Sequence, residues 1–157
     1  MAIHVVMYQP EIPQNTGNIS RTCAATHSVL HLIRPLGFST DDKQLKRAGL
    51  DYWEFVDVRY HDSLEELWDK HPDGTFYYIT KYGEKYPSQV DLSNVEEDYF
   101  FVFGRETKGL PLNVIDENLE RCIRLPQSNL VRSLNVSNTA AIIVYEALRQ
   151  QGYANLL

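Results

Sequence analysis

Short apolar runs alternate with amphipathic stretches along nearly the whole chain, and this alternation constrains the fold more than any other feature. The apolar runs have the length of buried strands, and they are Ile3–Tyr8, Val29–Ile33, Trp53–Val58, Thr75–Thr80, Tyr99–Phe103 and Cys122–Leu125. Strands that alternate with helices build parallel sheets with helices packed on their faces. The sequence therefore predicts an α/β fold with a mostly parallel sheet flanked by helices, in one domain spanning residues 1–157.

Capping residues and helical spacing predict the helices between these strands. Asn15 or Thr16 caps a helix that runs to about His27, and Asp41 or Asp42 caps a short one. Further helices are predicted at Ser63–Lys70, from Pro111 to about Asn118, and from about Asn135 to Gln151. The final helix carries an apolar stripe formed by Ala140, Ile143, Val144, Ala147 and Leu148. We therefore regard the final helix as a candidate subunit interface.

The composition argues against several classes of protein. No segment approaches the roughly 20 apolar residues needed to cross a bilayer, and the first ten residues do not resemble a secretory signal. We expect a cytoplasmic protein. Cys23 and Cys122 are far apart and form no CxxC pair, which is typical of reduced core thiols. The five histidines are scattered without an HExxH pair, and we expect no metal.

The formal net charge of −6 argues mildly against a nucleic-acid partner, because proteins that neutralise phosphates usually carry a basic surface. The distribution of charge is more informative than the total. Acidic residues concentrate in segments 62–73 and 91–98, whereas basic residues lie near Gly-rich and Asn-rich loops, and these are Arg21, Lys43, Lys46, Arg47, Lys81, Lys108 and Arg132. A local basic face on an acidic protein is compatible with this pattern.

Four loops rich in Gly, Pro, Asn and Ser directly follow predicted strands, where open α/β sheets build their binding sites. They are Glu11–Arg21, Thr80–Gly83, Phe103–Pro111 and Leu125–Asn138. The chain contains neither GxGxxG nor GxxxxGK[ST], so a nucleotide-like cofactor would need a pocket of another kind.

The segment FGRETKGLP has two interpretations. Gly104 lets backbone approach a ligand, Gly109 permits a turn, and Glu106 can lie at the mouth of a pocket. The same spacing also describes an ordinary connection between a strand and a helix, with Pro111 at the helix start and Glu106 solvated.

The segment IRLPQSNLVRSLNVSN places four polar residues at the start of the final helix, namely Ser133, Asn135, Ser137 and Asn138. Helix N-termini favour anions and polar ligands, although helix capping alone accounts for one or two of these residues. In PEIPQNTGNISR, Arg21 is either a solvated helix residue or a guanidinium that grips phosphate and stabilises negative charge on an attacking oxygen. Arg132 is either a surface residue or an RNA contact.

Together, PEIPQNTGNISR, GFSTDDKQLKRAGLDYW, FGRETKGLP and IRLPQSNLVRSLNVSN resemble the SPOUT methyltransferases, and within them the small enzymes that methylate the wobble ribose of tRNA. The resemblance covers nearly the whole chain in the same order. It implies an α/β fold whose C-terminal part forms a deep trefoil knot, with S-adenosylmethionine bound in the knot loops. Knots are rare in proteins, so the pattern of strands and helices alone does not predict this topology.

The resemblance also implies site residues. It puts the S-adenosylmethionine pocket at Tyr78 or Ile79, Gly104, Leu125 and Ser133, largely through backbone groups. Arg21 matches the family's catalytic arginine. The family's motif regions include Asn15, Asn18, Glu106 and Asn135. Arg132 and Tyr145 match positions that are linked to tRNA handling in the family.

The implied reaction is an in-line attack of a ribose 2′-hydroxyl on the sulfonium methyl group, which releases S-adenosylhomocysteine and depends on alignment of the reacting atoms. Arg21, from the same or the opposite subunit, would orient the phosphate, and its role as proton acceptor stays open. The implied partners are a second copy of the chain and the anticodon arm of tRNA, whose nucleotide 34 is a cytidine or a modified uridine. Because no separate RNA-binding domain is present, two subunits would together form the RNA surface.

Three other interpretations stay open at this point. The first is the same methyl transfer to ribosomal RNA or to another position of tRNA. The second is a catalytically silent RNA-binding protein of the same fold, although Arg21 and the C-terminal segments are intact. The third is an α/β enzyme for another nucleotide, which the missing phosphate-loop signatures disfavour.

Overall fold

Six parallel strands form the sheet in a computed structural model of the chain, which describes residues 2–41, 43–47 and 51–157. The strands are β1 Ile3–Tyr8, β2 Val29–Ile33, β3 Val58–His61, β4 Thr75–Ile79, β5 Tyr99–Phe103 and β6 Cys122–Ile123. Their order across the sheet is β3-β2-β1-β5-β4-β6, and every neighbouring pair is parallel. The predicted α/β fold with a parallel sheet is confirmed.

Within the described ranges, six α-helices connect or follow these strands. They are α1 Pro13–Thr26, α2 Lys43–Leu45, α3 Asp51–Trp53, α4 Leu64–Lys70, α5 Leu112–Glu117 and α6 Val136–Gln150. Short 3-10 turns lie at Pro87–Gln89 and Leu119–Arg121. No helix in the described part of the chain is both long enough and apolar enough to cross a membrane.

Helices cover both faces of the sheet. Because successive side chains of a strand point to opposite faces, the central strands are buried on both sides. One core joins the sheet to α1 and α6, and it includes every residue of the predicted apolar stripe on α6. The other core joins the sheet to α4 and α5 through Leu64, Leu67, Val114 and Ile115. The stripe on α6 is therefore interior to the subunit, and the outward face of α6 presents Ile142 and Tyr145, each 45% exposed.

Several predicted boundaries need correction. The predicted strand Trp53–Val58 is wrong, because Asp51–Trp53 is helical and the strand begins only at Val58. From there Val58 and Tyr60 pack against the core while Arg59 is exposed, which is the alternation of an edge strand. Strand β6 ends at Ile123 rather than Leu125. Asp42, the alternative cap of the short helix, lies outside the described residues.

Helix α1 begins two residues before the predicted cap. Pro13 is its first residue, Ile12 is its N-cap without a side-chain hydrogen bond, and Asn15 and Thr16 lie inside the helix. Proline suits the first helical position because its φ angle is already helical and its missing N–H would have no partner there. The end of the helix at Thr26, before His27, agrees with the prediction.

Candidate active site

The loops that follow β1 and β5 meet at the carboxyl edge of the sheet. These two strands are neighbours, but the chain proceeds from β1 towards one edge of the sheet and from β5 towards the other. This is the topological switch point, where open α/β sheets leave a crevice for ligands. Three of the four predicted motif loops, those at 11–21, 103–111 and 125–138, are joined there by side-chain hydrogen bonds.

Glu106 is the centre of this network. Its carboxylate accepts hydrogen bonds from the backbone N–H groups of Glu11 at 2.9 Å and Ile12 at 2.8 Å. It also accepts one from Asn15 Nδ2 at 3.1 Å. A carboxylate beside the N-terminus of α1 is favoured by the helix dipole, and Glu106 binds the N–H of the N-cap residue Ile12.

Glu11 makes a reciprocal link to the same loop. Its carboxylate accepts hydrogen bonds from the Thr107 backbone N–H at 3.1 Å and from Thr107 Oγ1 at 2.8 Å. These bonds from the backbone and the side chain of Thr107 lower the pKa of Glu11. Two carboxylates therefore fasten the loop after β1 to the loop after β5.

Asn15 extends the network to the final helix. It is 4% exposed, and its Oδ1 accepts a hydrogen bond from Asn135 Nδ2 at 3.0 Å. Asn135 is the N-cap of α6, and its Oδ1 accepts from the Ser137 backbone N–H at 2.8 Å. Asn135 and Ser137 thus make the ordinary capping contacts, whereas Ser133 and Asn138 are exposed.

The Gly104 segment is a tight hairpin. Arg105 and Gly109 exchange backbone hydrogen bonds at 3.2 Å and 2.9 Å. Gly109 has a φ of 66°, a conformation that favours glycine. A Cβ at Gly104 would lie 2.3 Å from the Gly109 carbonyl carbon, so the hairpin's own backbone already requires a glycine there.

The remaining predicted pocket positions lie at the ends of β4 and β6. Ile79 pairs with Phe103 on one side and with Ile123 on the other, so Gly104 and Leu125 follow the two strands that flank β4. Ile79 and Leu125 pack against the core that α6 covers. Tyr78 instead lies in the opposite core, where burial raises its pKa to about 12.

Arg21 is exposed on α1, and its Cζ atom lies 5.0 Å from the centroid of the Tyr52 ring. Asn18 is also exposed on α1. Arg132 lies in the exposed segment before α6, and its carbonyl oxygen accepts a hydrogen bond from Gln127 Nε2 at 3.2 Å. Arg21, Asn18 and Arg132 are therefore at the surface, whereas Glu106 and Asn135, which were also predicted to contact the substrate, lie in the hydrogen-bond network.

Three histidines form a row that the sequence pattern did not reveal. His4 Nδ1 lies 2.9 Å from His31 Nε2, and His31 Nδ1 lies 2.8 Å from His61 Nε2. All three are buried, on adjacent strands. Burial lowers the pKa of His4 to about 4 and that of His31 to about 2, and it also lowers the pKa of His61. Charged and titratable groups around the row are Arg59, Glu66, Lys70, His71 and Asp98.

Each histidine ring in this row is hydrogen-bonded to the next ring, so the ring nitrogens do not point towards one shared position where a metal ion could bind. Among the described residues, no group of three or more His, Cys, Asp or Glu side chains is arranged to hold a metal ion. Both cysteines, Cys23 and Cys122, are free and buried, as expected for core thiols.

The comparison with protein families assigns the chain. A sequence profile described as the SpoU rRNA Methylase family matches residues 2–145. The chain belongs to this family. The resemblance found in the sequence is thereby confirmed, since SpoU methylases are members of the SPOUT group.

Individual relatives agree with the family assignment. A Bacillus subtilis strain 168 protein, described as a candidate tRNA (cytidine(34)-2′-O)-methyltransferase, is 67% identical over 99% of this chain and 98% of its own. A solved structure concerned with 2-OH methylation of C/U34 on tRNA is 40% identical, covers 97% of both chains and has a TM-score of 0.89. The SpoU methyltransferase AviRb from Streptomyces viridochromogenes, in complex with AdoMet, shares the fold at 22% identity and a TM-score of 0.81, with 98% of this chain and 62% of that chain covered.

Proposed function

We propose that the protein is an S-adenosylmethionine-dependent methyltransferase that modifies the ribose 2′-hydroxyl of nucleotide 34 in tRNA, a cytidine or a modified uridine, in the cytoplasm. The observation that carries the proposal is the junction of three motif loops at the switch point of a SpoU-family chain, with Arg21 on the helix that starts there. The names of close relatives, which specify methylation at tRNA nucleotide 34, support this target over ribosomal RNA.

The distribution of charge supports an RNA substrate despite the net charge of −6. All seven basic residues singled out in the sequence are exposed, and Lys81, Lys108 and Arg132 follow the carboxyl ends of β4, β5 and β6. Acidic residues such as Asp73 and Asp98 instead precede β4 and β5, at the amino edge. The loops at the carboxyl edge of the sheet thus offer cations to phosphates.

We assign the cofactor to the loops after β4, β5 and β6, with Ile79, Gly104, Leu125 and Ser133 as the residues that would hold it. The residues fit this role. Among the described residues, segment 125–134 makes no hydrogen bond from backbone to backbone. Side chains of the same segment bond the Leu130 N–H and the carbonyls of Val131 and Arg132, and the other N–H and C=O groups are available to a polar ligand. The half-buried Leu125 offers an apolar surface beside them. Tyr78 is assigned only through its backbone, because its side chain is buried in the opposite core.

The C-terminal trefoil knot belongs to the same proposal. Strand β6 pairs with β4 on one side, and on the other side the Arg124 N–H donates to the Lys85 carbonyl at 2.8 Å. A Cβ at Gly83 would lie 2.7 Å from the Ile123 carbonyl carbon. The chain that follows β4 therefore passes tightly around β6, as expected where one segment threads through the loop of another.

In this mechanism, Arg21 holds the phosphate next to the target ribose and stabilises negative charge as it develops on the 2′-oxygen. Bound S-adenosylmethionine supplies an electrophilic methyl group and is released as S-adenosylhomocysteine. Tyr52 lies against the Arg21 guanidinium and restricts its position. The proton of the 2′-hydroxyl passes to solvent, because the guanidinium that stabilises the 2′-oxygen is already protonated.

We also propose that the chain acts as a homodimer, because one small subunit offers little surface to an anticodon arm. The outward face of α6 presents Ile142, which is 45% exposed, and the preceding segment exposes Leu130 at 88% and Val131 at 52%. An apolar surface of this kind is typical of a subunit contact. Asn18, Arg132 and Tyr145 are the side chains that we assign to RNA.

The proposal is tested by methyl transfer to tRNA with purified Arg21→Ala protein. We expect the rate of transfer to fall by about 100-fold or more while the affinity for S-adenosylmethionine stays within about twofold, because Arg21 acts on the RNA and not on the cofactor. Arg121→Ala is the matched control, since Arg121 is also exposed and also lies over a tyrosine ring. Wild-type activity in Arg21→Ala would remove Arg21 from the mechanism. Cofactor binding without any transfer by the wild-type protein would favour a silent RNA-binding protein.

A further inference from the structure

A cleft of about 720 Å³ opens at the carboxyl ends of β2 and β3, on the β2 side of the junction of the motif loops. Its lining includes Arg34, Phe38 and Tyr60, together with Thr40 and Asp62. None of the four motif loops contributes to this lining. The cleft is therefore separate from the positions assigned to the cofactor.

The cleft combines aromatic rings with an arginine. The Arg34 Cζ atom lies 5.0 Å from the centroid of the Tyr60 ring, and Arg34 Nη1 donates to Asp62 Oδ1 at 3.1 Å. The ion pair holds the guanidinium at the mouth of the cleft, and Phe38 is half-buried within the lining. Aromatic rings and guanidinium planes are the surfaces on which unpaired RNA bases stack.

The loop that forms the cleft packs against the loop that forms the active site. The Gly37 N–H donates to the Pro10 carbonyl at 2.9 Å, and a Cβ at Gly37 would lie 2.9 Å from Glu11 Cα. Glu11 is itself bonded to the loop that carries Glu106. An RNA strand whose target ribose lies at this junction would extend over the cleft with its next nucleotides.

Exposed cations continue from the cleft. Lys43, Lys46 and Arg47 follow its Thr40 in the chain, and they are all exposed. Helix α2, which begins at Lys43, packs on α1, the helix that carries Arg21. A path for phosphates thus runs between Arg21 and the cleft.

From this arrangement we propose that the cleft binds one unpaired base of the RNA substrate, a neighbour of the methylated nucleotide, by stacking it on Phe38 and on the Arg34 guanidinium that lies over Tyr60. This inference rests on the proposed function, because it takes the substrate to be the single-stranded anticodon loop. Binding of this base would fix the position of the RNA strand along the protein, so that the neighbouring ribose lies next to Arg21.

The test is a double-mutant cycle between protein and RNA. Arg34→Ala and Phe38→Ala proteins are assayed for methyl transfer to an anticodon stem-loop, and then to stem-loops in which each neighbour of nucleotide 34 is in turn abasic. With intact RNA we expect KM to rise about 5- to 100-fold with kcat nearly unchanged, which is the range for losing one stacked base. With the RNA that lacks the bound base, we expect the wild-type KM to rise similarly and the variants to lose nothing more.

Arg59→Ala is the matched control, because Arg59 is also exposed and donates to an exposed aspartate, Asp57 Oδ2, at 2.7 Å. Its KM should match that of the wild-type protein. Thermal unfolding of each variant separates misfolding from lost binding, and Arg34→Ala, at an exposed position, keeps the test decisive if Phe38→Ala unfolds.

Unchanged KM values in Arg34→Ala and Phe38→Ala would overturn the inference. An equal rise of KM with intact RNA and with both abasic RNAs would also overturn it, since the cleft would then act only through folding or through another class of partner. Absence of methyl transfer by the wild-type protein is a different result, because it refutes the proposed function itself.

Discussion

The buried histidine row makes stability depend on pH. His4, His31 and His61 are hydrogen-bonded to one another as neutral rings, and their pKa values in the folded protein are lowered by burial. An unfolded histidine has a pKa of about 6.5. The unfolded state therefore binds more protons below that pH, so stability is fully present above about pH 6.5 and is lost as the pH falls towards the folded pKa values.

The magnitude of this pH dependence follows from the lowered pKa values of His4 and His31. Between pH 7 and pH 5.5 each histidine that stays neutral in the folded state lowers the free energy of unfolding by about 1.2 kcal/mol. His4 and His31, with folded pKa values of about 4 and about 2, together remove about 2.5 kcal/mol, and His61 adds to this loss. Carboxylates contribute little in this interval because their unfolded pKa values lie near 4. A loss of this size is a large part of the 5–15 kcal/mol that is typical of a folded domain.

Urea unfolding followed by circular dichroism at pH 7 and pH 5.5 measures this difference. His31→Leu should be less stable at pH 7, because it leaves nitrogens of His4 and His61 without their partner, but it should lose about 1.2 kcal/mol less on acidification. His27→Asn, at an exposed position, is the control and should keep the wild-type difference. A wild-type change below about 0.5 kcal/mol would refute the reasoning.

Three further predictions concern substitutions at two residues and the reactivity of the two cysteines. Glu106→Gln should lower the free energy of unfolding by about 1–3 kcal/mol, because the amide NH2 group of glutamine would face a hydrogen-bond donor. Glu120→Gln, at an exposed position, is the control and should change it little. Equal effects of the two substitutions in urea unfolding would contradict this. Gly104→Ala should lower the free energy of unfolding by about 1–3 kcal/mol, because the added Cβ meets the Gly109 carbonyl carbon. It should also bind S-adenosylmethionine more weakly in calorimetry. An unaffected variant would contradict this and show that the hairpin can widen. Cys23 and Cys122, whose thiol pKa values burial raises, should react with a disulfide reagent at pH 8 only after unfolding, and rapid labelling of the native protein would contradict their burial.

The central strands were predictable because each is a continuous apolar run buried on both faces. Strand β5, Tyr99–Phe103, is fully buried, and its predicted bounds are those observed. The edge strand β3 was missed because only alternate residues face the core, while Trp53 and Val56 pack on that core from outside the sheet. Periodicity alone does not distinguish an apolar segment that packs on a sheet from one that joins it.

The chemistry of the site was predictable in part. Residue patterns singled out Glu106, Asn15 and Asn135 in separate loops, but their mutual hydrogen bonds span 91 and 120 residues of sequence. The role of Glu11 was missed because its partner, Thr107, lies 96 residues away. The histidine row follows from strand order, since His4, His31 and His61 meet only when β1, β2 and β3 are adjacent. Strand order across a sheet is not encoded in the local patterns that predict the strands.

The most direct test of the central claim is mass spectrometry of tRNA nucleosides from cells with and without this protein, followed by sequencing of the modified fragment. The account predicts that a 2′-O-methylated cytidine or uridine derivative at nucleotide 34 disappears when the protein is removed, and that it returns with the wild-type protein but not with Arg21→Ala. An unchanged set of methylated nucleosides in tRNA, or a loss confined to ribosomal RNA or to another tRNA position, would contradict it.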